Sequence, residues 1–376
     1  MKHKTVCQRI LLGALVGVLV LCGTGSTCLA EGFYEGDRAA VTALLEDVTV
    51  TSRFGELLFG RDRRTAPKKD PAPTSDERRL YPGGEVFGIR LRSTQVTVAE
   101  TDGTAGGLAV GDVILAIDGT SVTQASDVPR LVAAASGTLC VTVERCGVKK
   151  TLTLTPERAD DGSYRLGITV RDGTAGIGTV TFIDPATGAF GGLGHGICDA
   201  ESGEVIPMRD GAVTEVTLGG VKRGEVGKPG ELHGVLRSRT TGVLYTNSDC
   251  GVFGHFDTLP TGKEALPIAT RDEVKAGAAT ILSTVHGGEP CSYEVTIGDI
   301  DYQSDGTKSF TVKVTDPALI AMTGGIVRGM SGSPIIQNGK LVGAVTHVMV
   351  ADPTEGYGIF IENMLNASEV ALPKAA

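Results

Sequence analysis

From Gly167 to the C-terminus the sequence is a succession of short apolar stretches, each stopped by Gly, Pro or an Asp-Gly pair. The stretches at 167–170, 178–183, 213–218, 280–285, 310–314 and 341–345 alternate in the period of two that puts successive side chains on opposite faces of a sheet. Beyond them only 363–372 has helical spacing. About 200 residues of this kind pack as a pair of β-barrels or a large sandwich, so the expected class is mainly β. The 53 glycines follow no collagen period and aromatic residues make up only 5%, with no tryptophan, which suits a chain of tight turns. A length of 376 residues leaves room for two or three domains.

Near the end of this β-rich region stands Gly329-Met330-Ser331-Gly332-Ser333-Pro334, followed by the apolar runs 335–336 and 341–345. A serine between glycines on a tight turn can present a nucleophile. Glycine reaches positive φ without penalty, and the backbone N–H groups of Gly329 and Ser331 can converge on one oxyanion. The same cluster also reads as a plain hairpin loop. A nucleophilic serine needs a base and a group that holds the base in one tautomer. The body offers His195, His233, His255, His286 and His347. His195 lies among glycines in an apolar stretch, uncrowded and suited to taking a proton. His347, just after the strand behind the serine, is its rival.

The first 30 residues have the layout of an export signal: Lys2, Lys4 and Arg9, an apolar run from Ile10 to Cys22, then small residues at Cys28-Leu29-Ala30. They are expected to carry the body across a membrane, either as a cleaved signal or as a retained anchor. Residues 31–82 read as an N-terminal segment and charged linker. The net charge of −9, with no basic cluster in the body, argues against nucleic acid as a partner. Outside the export segment remain Cys140, Cys146, Cys198, Cys250 and Cys291, an odd number without a CxxC pair. Neither a zinc site nor a disulfide framework is expected, and no metal or cofactor, although Cys140 and Cys146 could face each other across a hairpin.

Strands at 86–91 and 96–98 precede the run 105–119, with Gly111-Asp112 in a turn and Asp118-Gly119 at a hairpin. A helix over 126–135, N-capped by Ser126, and strands at 138–145 and 149–155 follow. The run 105–119 resembles the signature of a PDZ domain, placed at 83–157. A PDZ domain adds an extended peptide to a sheet edge, expected beside the strand that begins near Val86.

Gly192-Leu193-Gly194-His195-Gly196-Ile197-Cys198-Asp199 resembles the histidine motif of the stage IV sporulation protein B peptidases. The stretch from Gly329 through Ser331 to His347 and Val348, continuing as Asp352-Pro353-Thr354-Glu355-Gly356-Tyr357-Gly358-Ile359, resembles their serine motif. The domain order agrees as well. The resemblance implies a PDZ domain followed by a trypsin-like double β-barrel serine peptidase at 158–376. It implies export from the forespore of an endospore former into the space between its membranes. There the enzyme would cut a regulatory membrane protein that restrains an intramembrane metalloprotease, which then processes the precursor of a late mother-cell sigma factor. By the same resemblance Ser331 is the nucleophile, His195 the general base, and Gly329 and Ser331 supply the oxyanion donors. Asp316 sits where the family carries a functionally important aspartate. Asp249 is the alternative acid, and Asp199 lies beside the histidine. Met330 stands where zymogen-activated relatives of trypsin have an aspartate, so activation by that ion pair is unavailable. The expected partners are the protein substrate, the membrane through the N-terminus, and a peptide in the PDZ groove, from a partner or from the chain itself. The other readings are a silent PDZ/barrel scaffold and a broad-specificity envelope quality-control protease.

Overall fold

The computed structural model describes residues 78–371, except 136, 160 and 201. The expected export segment and most of the expected charged linker lie outside the described residues. None of the described helices is long and apolar enough to cross a membrane.

In chain order the first half comprises β1 (Arg79–Pro82), β2 (Val86–Thr101), β3 (Val113–Ile117), β4 (Thr120–Ser121), α1 (Asp127–Ala133), β5 (Leu139–Arg145), β6 (Val148–Leu154), β7 (Glu157–Arg158) and β8 (Tyr164–Arg165). Then come β9 (Ile168–Ile183), β10 (Ala189–Gly192), β11 (Met208–Lys222), β12 (Glu231–Ser248), β13 (Gly251–Phe256) and β14 (Leu266–Pro267). The remainder is β15 (Gly277–Ser283), β16 (Cys291–Gly298), β17 (Phe310–Val314), α2 (Pro317–Thr323), β18 (Pro334–Gln337), β19 (Lys340–Met349), β20 (Asp352–Phe360) and α3 (Ile361–Ala371).

Two barrels follow from the pairings. The first runs β9-β10-β13-β12-β11-β2 and closes because β2 also pairs with β9. Its core takes alternate residues of β2, Phe87, Ile89 and Leu91, together with Val180, Phe190, Val213 and Val252. Each such side chain contributes about 1.5–3 kcal/mol by leaving water. The second is the closed barrel β15-β16-β17-β20-β19-β18, filled by Ile281, Val295, Phe310, Val345 and Phe360. A third apolar cluster contains Phe182 and Phe253 of the first barrel, Ala344 and Ile359 of the second, and Met364 of α3. It joins the two barrels.

The PDZ unit grows out of the first barrel without a linker. The expected strands at 86–91 and 96–98 are one strand, β2. Residues 88–93 pair with β11, whereas Thr97 pairs with β3 and residues 97–101 with the start of β9. The PDZ core holds Val96, Val98, Ile114, Val132, Val141, Val143 and also Leu166, with Ile168 and Val170 packed against it. Its core thus draws on residues from Val96 to Val170, because a single strand can bury one end in each of two cores. Excision at residue 83 would remove a barrel stave.

For the same reason the edge expected to take a peptide is not free: near Val86 both edges of β2 are taken by β9 and β11. A groove of about 720 Å³ lies between α1 and the start of β9, lined by Val128, Pro129, Val132, Leu166, Ile168 and Val170. Among the described residues, no strand pairs with the groove side of β9 there. Cys140 pairs opposite Thr153 while Cys146 sits in the turn after β5, so the two do not face each other and both are free.

The Gly111-Asp112 turn carries an ion pair whose carboxylate is buried while its arginine is partly exposed. The Asp112 carboxylate accepts from Arg145 Nε at 2.6 Å and Nη2 at 2.7 Å, and from the Ala109 N–H at 2.9 Å. Its side chain is fully enclosed. Removing the carboxylate takes the acceptor from the Ala109 N–H, at about 1–3 kcal/mol, while Arg145 keeps the Gly107 carbonyl. Asp112→Ala should therefore lower the urea midpoint of the full chain by an amount worth about 1–3 kcal/mol, whereas Arg165→Ala, at an exposed ion pair, should change it little.

Candidate active site

The Ser331 turn joins α2 to β18 and is held by its carbonyls. In a trans peptide the N–H points opposite to the preceding C=O. The Arg328 carbonyl accepts from the Leu232 N–H of β12 at 2.9 Å, so the Gly329 N–H faces the other way. The Met330 carbonyl accepts from the Ser333 N–H at 2.9 Å, which orients the Ser331 N–H likewise. Neither the Gly329 nor the Ser331 N–H has an acceptor among the described residues, whereas the intervening Met330 N–H is bonded to Val327. Two free donors flanking a bonded one are the arrangement an oxyanion requires. Positive φ at Gly329 (98°) and Gly332 (96°) makes the turn possible. Met330 is buried in the second barrel.

The two serines have different fates. Ser333 Oγ is buried and bonded to Ser283 Oγ at 3.0 Å. Ser331 Oγ is half-buried and donates to the Thr346 carbonyl at 2.7 Å.

His195 comes from the first barrel. Two successive left-handed residues, Leu193 (φ 66°) and Gly194 (φ 69°), turn the chain off β10 toward the second barrel. For Leu193 this costs about 1–2 kcal/mol, and its burial in the first core offsets it. A Cβ at Gly194 would press on Thr346 and Ile359, and one at Gly332 on Leu193, so the histidine loop and the serine turn are in direct packing contact. Asn247 pins the following residues: its Oδ1 accepts from the Ile197 N–H and its Nδ2 donates to the Ile197 and Ile206 carbonyls. His195 Nδ1 lies 2.8 Å from the Gly196 carbonyl. That contact fixes Nδ1 as the protonated nitrogen and leaves Nε2 as the acceptor. Burial lowers the His195 pKa from its ordinary value, and the bond to Gly196 partly counters the shift.

None of the expected acids touches this ring. Asp316 was expected to orient His195, but its carboxylate is the N-cap of α2. Oδ1 accepts from the Ala318 and Leu319 N–H groups at 2.9 Å each, and Oδ2 from the Glu294 N–H at 3.3 Å. These backbone donors, that of Leu319 foremost, hold the carboxyl below its usual range. The reason is local: Asp followed by Pro at the first helical position is a strong N-cap signal, and the cap sets α2, which leads into the serine turn. Asp249 is exposed. Its backbone carbonyl accepts from the Gly196 N–H at 3.1 Å, while burial and then the Asp249 charge push the Cys198 thiol up. Asp199 pairs with Arg171 at 2.8 Å. The group next to His195 is His347, with ring centroids 4.8 Å apart. Asn247, Thr346 and the strand threonines described below carried no signal in the sequence, because Thr in a strand reads only as a β-former.

A cavity of about 240 Å³ opens beside Gly329, lined by Ile177, Leu232, Leu236, Glu231, His233 and Arg328. Among the described residues no cluster of His, Cys, Asp and Glu could hold a metal ion.

A family described as SpoIVB peptidase S55 matches residues 162–365, which include both the serine turn and the histidine loop. The chain belongs to this family. It is a serine endopeptidase. A PDZ domain profile matches residues 96–145. No curated protein matches the chain. Among solved structures, the active form of Rv3671c protease from M. tuberculosis is 15% identical, with a TM-score of 0.32, over 54% of this chain and 78% of that one. An inactive form of Rv3671c protease is also 15% identical, with a TM-score of 0.29, over 52% and 85%.

Two outcomes separate the roles in this SpoIVB-family site. Asparagine caps a helix about as well as aspartate but cannot stabilise an imidazolium. Asp316→Asn should therefore keep most of the activity, and Asp316→Ala should cost about 1 kcal/mol of stability with a partial loss of turnover. An inactive but folded Asp316→Asn protein would restore it as the acid. Gly332→Ala would drive a Cβ into the Thr179 carbonyl at a left-handed position. It should abolish serine labelling, read by mass spectrometry, and lower the melting temperature.

Proposed function

We propose that this serine endopeptidase is exported in a sporulating cell and cuts a regulatory membrane protein, releasing an intramembrane metalloprotease that processes a late mother-cell sigma factor precursor. The family supports the sporulation setting. The observation that carries the chemistry is the Ser331 turn, with two unpaired N–H groups and the His195 loop packed on it. No cofactor enters the reaction.

In this reading the Ser331 hydroxyl gives up its bond to Thr346 and hands its proton to His195 Nε2 as Oγ attacks the scissile carbonyl. The oxyanion sits between the Gly329 and Ser331 N–H groups. The imidazolium, still bonded through Nδ1 to the Gly196 carbonyl, protonates the leaving amine. Water then repeats the sequence on the acyl-enzyme. The PDZ groove beside residues 168–170 takes an extended peptide of the substrate, a partner or the chain itself as an added strand.

A fluorophosphonate should form one adduct, on Ser331, located by mass spectrometry. Ser331→Ala and His195→Ala should each lose several orders of magnitude in turnover, since such residues act as a unit. An unreactive wild-type protein would favour the silent scaffold. Because the base must be neutral and burial depresses its pKa, the rate should rise with pH through a midpoint below the ordinary histidine value of about 6.5 and be lost as pH falls through it. A midpoint at or above 6.5 would contradict the buried setting of His195. Ile168→Arg should slow cleavage of the protein substrate about tenfold by filling the groove.

A further inference from the structure

The ladder between β19 and β20 slips at the active site. Val345 pairs with Gly358 and Val348 with Gly356, so β19 spends Thr346 and His347 where β20 spends only Tyr357. A bulge of this kind re-aims side chains. Thr346 is pinned: its Oγ1 donates to the Thr307 carbonyl at 2.8 Å and to the Tyr357 carbonyl at 3.2 Å, while its own carbonyl accepts from Ser331. His347, the next residue, is thereby turned onto His195, with the ring planes inclined by 35°.

His347 makes no polar use of this position. Its Nδ1 is buried and has no hydrogen-bond partner among the described residues. A buried orphan nitrogen is unfavourable, so its place against His195 calls for an explanation. Two groups face the ring, His195 from the loop after β10 and Lys308 from the loop before β17. Burial first, then these two, bring its pKa down to about 4. At neutral pH the ring is uncharged, so it covers the base without repelling the imidazolium that forms on it.

We propose that His347 is a positioning residue, its ring the wall that holds the His195 imidazole beside the Ser331 turn and keeps water from it. This rests on Ser331 and His195 being nucleophile and base. It differs from the acid of a triad in that shape and dryness, and not charge, do the orienting.

The test compares the full chain with His347→Ala and His347→Phe. The rate of fluorophosphonate addition to Ser331 is followed against pH, and the His195 titration is read independently from its imidazole proton resonances. His347→Ala should slow addition about a hundredfold, as a base displaced by an ångström does, and should raise the His195 midpoint toward the ordinary histidine value. His347→Phe, a ring without nitrogens, should recover the rate to within about threefold and keep the low midpoint. It also decides the matter should the alanine variant fail to fold. Addition to His347→Ala at the wild-type rate and midpoint overturns the proposal. A folded His347→Phe as slow as His347→Ala overturns it too, because a ring nitrogen would then be what the site needs. If the wild-type serine forms no adduct, the reading of the active site fails, while the His195 resonances still report whether His347 sets its midpoint.

Discussion

The site depends on how strand β9 of the first barrel grips the serine turn of the second. The Thr179 N–H donates to the Ser331 carbonyl at 3.0 Å, and Thr179 Oγ1 to the Gly329 carbonyl at 2.8 Å. Two residues on, Thr181 Oγ1 donates to the Gly332 carbonyl at 2.8 Å. Thr179 and Thr181 are fully buried, so each bond is one whose loss would strand a carbonyl away from water at about 1–3 kcal/mol. With three turn carbonyls fixed by β9, that of Arg328 by Leu232 and that of Met330 by the Ser333 N–H, the peptide planes cannot rotate. The free N–H groups of Gly329 and Ser331 are what the anchoring leaves over.

The same strand reaches the PDZ unit. Its first residues form one wall of the groove beside α1 and its later ones hold the Ser331 turn, with β2 paired alongside for most of the length. Groove and turn are thus two ends of one hydrogen-bonded ribbon. The PDZ unit is part of the wall of the first barrel, which is why its borders cannot be drawn between elements.

Legibility followed the range of the interactions. Ser331 and His195 stood out because glycines around a reactive side chain are a local pattern, and the barrels because alternation is local. The helices expected at 126–135 and 363–372 came within two residues of the limits of α1 and α3 for the same reason, whereas α2, only two turns long, gave no helical period to read. At Asp316 the family resemblance suggested an acid and Asp-Pro read only as a turn former, whereas in the fold its carboxylate caps α2, a helix too short to show in the sequence. His347 could be noticed as a rival, but its contact with His195 rests on a bulge in a ladder between strands, and nothing in 340–349 marks where that bulge falls.

By itself the sequence determined the serine turn, the histidine loop, the PDZ segment and the mainly β class, since each rests on residues close in the chain, where backbone conformation and side-chain period are set. Only the tertiary structure decided which carbonyls are anchored, that β2 and β9 each serve two cores, that the groove opens along residues 168–170, and that His195 meets an imidazole and a backbone carbonyl in place of a carboxylate. These depend on pairings between residues up to about 150 positions apart, such as Thr181 with Gly332. Such contacts are chosen by burial and by the need to satisfy every enclosed polar group, and neither demand is written in the spacing of a strand.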